Sequence, residues 1–252
     1  MTWIFDGSFE GLLTLVFECY AQKQHPVNIA RANDYKHGIF DTPRVIASDI
    51  TRAERVHKGL RKKLTPGAMV NLVKAFHSEL PAVYREIFEY MILALDKPMN
   101  IEEDYRLGPV LQVKKAAQKV SREIHRMHAF VRFQHTKDNL YVATIRPDFD
   151  VIPFIGRHFK QRYADQRWVI YDTCRNYGLY YDLSTVDTIQ LEQAAWVGNK
   201  KVSASILDSH EDLFKNLWKE YFKATGIKER KNTKLHLQHL PRRYWHYLPE
   251  KN

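Results

Sequence analysis

The sequence predicts a mixed fold, α/β or α+β, in which helices pack on short mixed or antiparallel sheets and two lobes form one compact unit. Three observations support this. Hydrophobic residues make up 44% of 252, with only 10 glycines and 10 prolines, so a substantial core is available and wholesale disorder is excluded. Strand-like and helix-like apolar periods alternate over the first fifty residues. Near residue 129 the apolar period switches from helical to alternating, which marks a second α-to-β transition.

Thr2 to Phe5 alternates and reads as a short strand. Asp6-Gly7-Ser8 turns the chain into an apolar helix over about 9–22, with Leu12, Leu13, Leu15, Val16 and Phe17 inside. Val27–Ala30 and Arg44–Ala47 read as two further strands. Asp49 or Thr51 caps a helix reaching about 63. Thr65-Pro66 starts the next, with Met69, Leu72, Val73 and Phe76 at helical spacing; proline costs little in a first turn, where its missing N–H would lack a partner. A further helix over about 81–95 carries Val83, Ile87, Tyr90, Met91 and Leu95. Asp96–Asn100 breaks the pattern. The expected division is therefore an N-terminal α/β lobe with its helical block, 1–98, and a C-terminal α+β lobe with a basic end, 99–252, meeting near 97–108.

A long helix is expected over about 109–127. Val113, Ala117, Val120, Ile124 and Met127 form its apolar stripe, and Lys115, Lys119, Arg122 and Arg126 form a basic one. From 129, Ala129, Val131 and Phe133 alternate with Phe130, Arg132 and Gln134, so a strand is expected. Lys137-Asp138-Asn139 turns it into a second strand, Leu140–Ile145, as a hairpin. Ile152–Tyr163 reads as a helix with a proline near its start. Arg167–Asp172, Tyr177–Asp182 and Thr185–Leu191 read as strands. A last amphipathic helix, about 209–224, would turn Leu213, Leu217, Tyr221 and Phe222 or Ala224 inward.

The formal charge is +10 and the sequence pI is about 9.4, which favours a polyanionic partner and says nothing about fold. From Gly226 to Asn252 seven Lys and Arg face two Glu, so half of the net charge sits in about a tenth of the chain. Two passages place guanidinium forks beside flat rings: Arg242-Arg243-Tyr244-Trp245, and His125 to Phe133 with Arg126 and Arg132. Forks grip phosphates bidentately, and rings stack on bases. The candidate nucleic-acid contacts are Lys115, Lys119, Arg122, Arg126, Arg132, Arg175, Arg242, Arg243, Tyr244 and Trp245.

Catalytic candidates are few. Glu123 and His125 form a possible acid–base pair, and Asp172 a possible carboxylate base. Asp148, Asp150, Asp172, Asp182 and Asp187 are carboxylates of the kind that converge on metals in nucleases, and they equally suit turns and strand ends. His-x-x-His occurs at 125/128 and 236/239 without a third ligand at fixed spacing, so no metal site is assigned. Cys19 and Cys174 are far apart in sequence; both are expected as buried reduced thiols, and neither a disulfide framework nor an iron–sulfur cluster is written here. Phosphate-loop, dinucleotide, nucleophile-elbow and zinc-protease motifs are missing, so no cofactor is expected. The N-terminus does not read as a signal peptide, and no run approaches the roughly 18 apolar residues of a membrane span, so a cytoplasmic protein without a membrane partner is expected.

Three motifs in order resemble a known family. They are Glu123–Phe133; Arg167–Asp172 with Arg175–Asp182; and Leu240-Pro241-Arg242-Arg243-Tyr244-Trp245 with Leu248-Pro249-Glu250. The opening Trp-x-Phe-Asp-Gly-Ser region is similar too. The family is a set of bacterial proteins linked to DNA metabolism or DNA repair, whose C-terminal two thirds is a domain of unknown function. The resemblance implies a neighbouring radical S-adenosylmethionine protein as partner, which would hold any cluster. Some members are fused to a uracil-DNA glycosylase; no such domain is expected here, so that activity is not transferred. The resemblance supplies no catalytic residue. The expected function is a nucleic-acid-binding accessory protein in DNA repair or modification, with DNA and the radical enzyme as partners. The alternatives are a hydrolase acting on DNA, nuclease or glycosylase-like, and a basic protein-interaction subunit.

Overall fold

A computed structural model describes residues 1–38, 42–190, 197–198, 201–202, 207–211, 213, 216–217, 220, 237 and 240–251. It is mixed α/β, as the sequence predicts, and separates into two units, Met1–Ser121 and Arg122–Asn252. The Asp96–Asn100 break is the bend that follows α4 (Pro81–Asp96), inside the first unit.

The first unit is built around β1 (Thr2–Phe5). This strand is the centre of a three-stranded parallel sheet, with β2 (Asn28–Arg31) on one side and β3 (Pro43–Val45) on the other. All four β1 residues are buried, as a central strand requires. Parallel neighbours need a crossover, supplied by α1 (Phe9–Gln22). Ser8 caps α1, accepting from the Gly11 N–H at 2.9 Å, and Asp6 in turn accepts from the Ser8 N–H and hydroxyl and from Ser48. A Cβ on Gly11 would lie 2.3 Å from the Asp6 carboxylate, so a larger residue there would push Asp6 out of this cap. Asp49 caps α2 (Ile50–Lys63), and Thr65 caps α3 (Pro66–Phe76). Leu12, Leu15, Leu60, Leu72, Phe88 and Met91 share one core with Trp3 and Phe5. The helix α5 (Gly108–Phe130) begins in this unit and ends in the next.

The second unit holds a five-stranded sheet in the order β4-β5-β6-β7-β8. The strands are β4 (Gln134–His135), β5 (Tyr141–Ile145), β6 (Trp168–Asp172), β7 (Tyr177–Tyr181) and β8 (Val186–Gln190). The β5–β6 pair is parallel and is joined through α6 (Ile152–Arg162); the other pairs are antiparallel. Every residue of β6 is buried because both faces are covered. Val169 and Tyr171 pack with Val142 on one face, while Trp168 meets Phe159 of α6 at 6.2 Å. Gly178 lets β7 sit tight on β6: a Cβ there would fall 2.2 Å from the Ile170 carbonyl oxygen. A short hairpin, β9 (Val197–Gly198) and β10 (Lys201–Val202), follows, and the described chain closes with 3-10 helices Arg242–Tyr247 and Pro249–Lys251.

The fold departs from expectation in several places. The strand expected from 129 is helix as far as Phe130, and β4 is only two residues long. Arg132 explains the stop: its guanidinium donates to the carbonyls of Ala129 (2.7 Å) and Val131 (3.3 Å) and satisfies the helix end. Cys19 is buried, but Cys174 is exposed, because it lies in the turn after β6 rather than in the strand. Leu213 and Leu217, expected inward, are exposed. Tyr221, Phe222, Ala224, His236, His239 and the cations Lys228, Arg230, Lys231 and Lys234 lie outside the described residues. Among the described residues no helix is long and apolar enough to cross a membrane.

Candidate functional site

Glu123 is the centre of the site. It sits in the apolar stripe of α5 between Val120 and Met127 and is fully buried. A lone carboxylate there would be very costly, so it must be paired. It accepts four hydrogen bonds: from the Asp148 N–H (2.9 Å), Arg126 (3.2 Å), Arg243 (3.4 Å) and the Tyr244 hydroxyl. Arg243 also donates to the Tyr244 hydroxyl at 2.9 Å and pairs with the Asp148 carboxylate at 2.7 Å. The Tyr244 ring is buried against Phe130, with centroids 5.5 Å apart. The last turns of α5, the loop after β5 and the 3-10 segment are thereby tied to one buried charge.

A second carboxylate extends the network. Asp172, at the end of β6, is fully buried and accepts from the N–H groups of Cys174 (2.8 Å) and Arg175 (3.4 Å) and from the Arg175 guanidinium (2.8 Å). Arg175 also donates to the carbonyls of Pro147 (3.3 Å) and Asp148 (3.4 Å), so Arg146–Asp148 is held from two directions. Asp150 accepts from the Tyr177 hydroxyl.

The electrostatics follow from this burial. Burial, then the bond to Glu123, pushes the Tyr244 phenol far up. Burial alone would lower Arg243; its bond to Tyr244 and the carboxylates of Asp148 and Glu123 outweigh that and hold it above its ordinary value. Burial raises the Asp172 carboxyl, and Arg175 with the two N–H groups offsets this only in part. Three arginines meet three carboxylates, Glu123, Asp148 and Asp172, so the network is close to neutral.

The network brings together Glu123, Arg126, Asp172, Arg175, Arg243 and Tyr244 of the expected site residues. The others lie elsewhere. Lys115, Lys119 and Arg122 are exposed on α5, Arg132 closes the end of that helix, and Arg242 is exposed beside a half-buried Trp245. His125 points to solvent whereas Glu123 is buried, as expected for helix positions two apart, and the carboxylate's bonds go elsewhere. His128 instead stacks on His158, centroids 3.9 Å apart. The five carboxylates each have separate work: Asp148 and Asp172 in the network, Asp150 on Tyr177, Asp182 on the N–H groups of Ser184 and Thr185, and Asp187 on the Thr185 hydroxyl. Among the described residues no three His, Cys, Asp or Glu groups gather as a metal site.

Residues 81–250 match DUF4130, a domain of unknown function. The chain belongs to the DUF4130 family. The match takes in the whole of this network, from Glu123 to Tyr244, together with α4 of the first unit. Comparison with curated proteins gives no match. The geometry adds Tyr177, whose hydroxyl holds Asp150, to the residues the sequence pointed to around the DUF4130 network. Only Glu123 carried a readable sign of it: a carboxylate in an apolar stripe requires partners.

Proposed function

We propose that this protein binds nucleic acid as an accessory factor in bacterial DNA repair or modification, and that the closing 3-10 segment presents the contact. The observation behind this is the surrounding of Trp245. Its indole N–H donates to the Leu240 carbonyl at 3.1 Å, which fixes the ring. Two cations stand over that ring, the Arg242 guanidinium at 5.9 Å and the Lys251 ammonium at 5.4 Å. Arg243, the next residue, is committed to carboxylates, which leaves the exposed Arg242 as the fork for a phosphate. A base would stack on the indole by displacing one of the cations. The +10 charge of the chain favours the same class of partner.

A radical S-adenosylmethionine protein as partner rests on the family resemblance and on a chain with too few cysteines for its own cluster. Hydrolysis by Asp172 or Glu123 gains little from the geometry, since both are buried and already accept several donors. The test is titration of the full chain into single-stranded and duplex DNA over a range of salt. Log affinity should fall linearly with log salt, and Arg242→Ala should reduce the slope by about 0.7 on single strands or 0.9 on duplex. An unchanged slope in that variant would refute the Arg242 contact.

A further inference from the structure

We infer that the exposed face of α2 is a separate docking surface for the phosphate backbone of a nucleic acid. This extends the nucleic-acid reading above to the first unit, outside the residues that match DUF4130. The helix Ile50–Lys63 carries six Lys and Arg and a single Glu. Its buried face is only Ala53, Val56 and Leu60, so nearly all of that charge faces water.

The pairing inside the unit leaves much of this charge uncompensated. Arg52 is committed to Glu18 and to Asp49 (3.1 Å). Lys58 approaches Glu54 at 3.6 Å, but both are well exposed, and such a pair is weak. Arg55 lies over the Phe17 ring at 5.2 Å, which orients it and leaves its charge intact. Among the described residues no carboxylate lies within 4 Å of Arg55, Arg61, Lys62 or Lys63. The macrodipole accounts for Arg61, Lys62 and Lys63 in the last turn. It does not account for Arg55 and Lys58, which lie further back. Arg55–Lys58, Lys58–Arg61 and Lys58–Lys62 are like-charge neighbours on one face, each mildly unfavourable. An anionic partner would relieve all three.

The chemistry of the face selects among anions. An anionic membrane would need an apolar face to insert, and that of α2 is buried in its own core. A folded acidic protein would need an apolar centre to its interface, and between Arg52 and Lys63 the exposed residues are all polar or charged. Arg55, Lys58 and Lys62 climb the helix in steps of about one turn, roughly 5 Å. Long cationic side chains in a row on a rigid rod suit a phosphate string.

The full chain carrying Lys58→Gln, Arg61→Gln and Lys62→Gln, with Arg55 kept for its contact to Phe17, tests this by anisotropy on a short DNA duplex between about 50 and 200 mM salt. The salt slope should fall by about 0.9 for each cation removed from a phosphate, up to about 2.7, and affinity near 0.1 M salt at least about tenfold. All three residues are exposed, so the far-ultraviolet spectrum and melting curve should match wild type; the single Lys62→Gln change, with a slope decrease of about 0.9, serves if they do not. A wild-type slope in these variants overturns the inference. If wild type fails to bind, this inference and the Arg242 reading both fall. If only Arg242→Ala lowers the slope, the α2 surface falls; if only the α2 changes do, the Arg242 reading falls and α2 stands. Polyglutamate bound as tightly as DNA, and through the same residues, overturns nucleic acid as the occupant.

Discussion

Glu123→Gln gives the sharpest test of the carboxylate network. The replacement has the same shape, so the packing of Tyr244 on Phe130 is preserved and the change is electrostatic. Glu123 now receives four donors. A glutamine offers one oxygen, and its amide NH2 would face at least one of those donors. Removing one member of a buried pair costs about 3–5 kcal/mol. Here the arginines reach water: Arg126 is 28% exposed and Arg243 39%. They can rehydrate, and Arg243 keeps Asp148, so the lower end, about 3 kcal/mol, is the better figure. For a unit of this size that is a drop in Tm of about 10 °C. The chain has two units, so a single melting curve can blend two transitions. Hydrogen exchange locates the effect: the Asp148 amide, which donates to Glu123, should lose protection together with Tyr244 and Leu248. Tyr244→Phe alone should cost about 1.5–3 kcal/mol, as the loss of a hydrogen bond to a charged group. The double variant should then cost less than the sum. Refutation would be a Glu123→Gln protein with wild-type Tm and an unaltered Asp148 amide.

Stability should also fall on mild acidification because of the stacked His128 and His158. Both rings have a buried Nε2 with no hydrogen-bond partner among the described residues; burial pushes His128 down to about 4, and His158 down as well. The unfolded chain takes up protons near pH 6.5 while the folded one resists until about 4, so stability is full above about 6.5 and is lost progressively below it, by roughly 1–2 kcal/mol for these partly solvated rings. Urea midpoints from neutral pH to about 4.5 should show the decline in wild type, and a flatter curve in His128→Gln/His158→Gln. Gly178→Ala should cost about 3 kcal/mol or more, because the new methyl falls 2.2 Å from the Ile170 carbonyl; a soluble variant with wild-type denaturant resistance would disprove that close approach.

Local chemistry was largely readable in the sequence. The turn before α1, Asp49 and Thr65 as helix caps, the apolar stripe of α5 and the strands around Trp168 and Tyr177 all follow from side-chain type and spacing over a few residues. The end of α5 was not readable, because six alternating residues fit a frayed helix as well as a strand. What decides it is the Arg132 guanidinium bending back onto the Ala129 carbonyl. The Glu123 network joins residues 120 positions apart, and no local period encodes that. The cations of α2 were visible as letters, yet their meaning depends on which carboxylates the fold brings near them.

That dependence bears on how basic sequences should be read. Arg126, Arg175 and Arg243 sit beside aromatic residues and look like phosphate contacts, yet each is bonded to a buried carboxylate. Breaking such a pair to grip a phosphate would leave a buried anion without its cation, a penalty larger than one exposed phosphate contact returns. Arginines of this kind position the loop at Asp148 and the 3-10 segment, and by doing so fix where Arg242 and Trp245 stand. Cations without carboxylates, such as Lys62, meet no such penalty when an anion arrives. Substitution should therefore divide the arginines and lysines by effect: changes in the network shift Tm with little change of salt slope, and changes at Arg242 or on α2 shift the slope with little change of Tm.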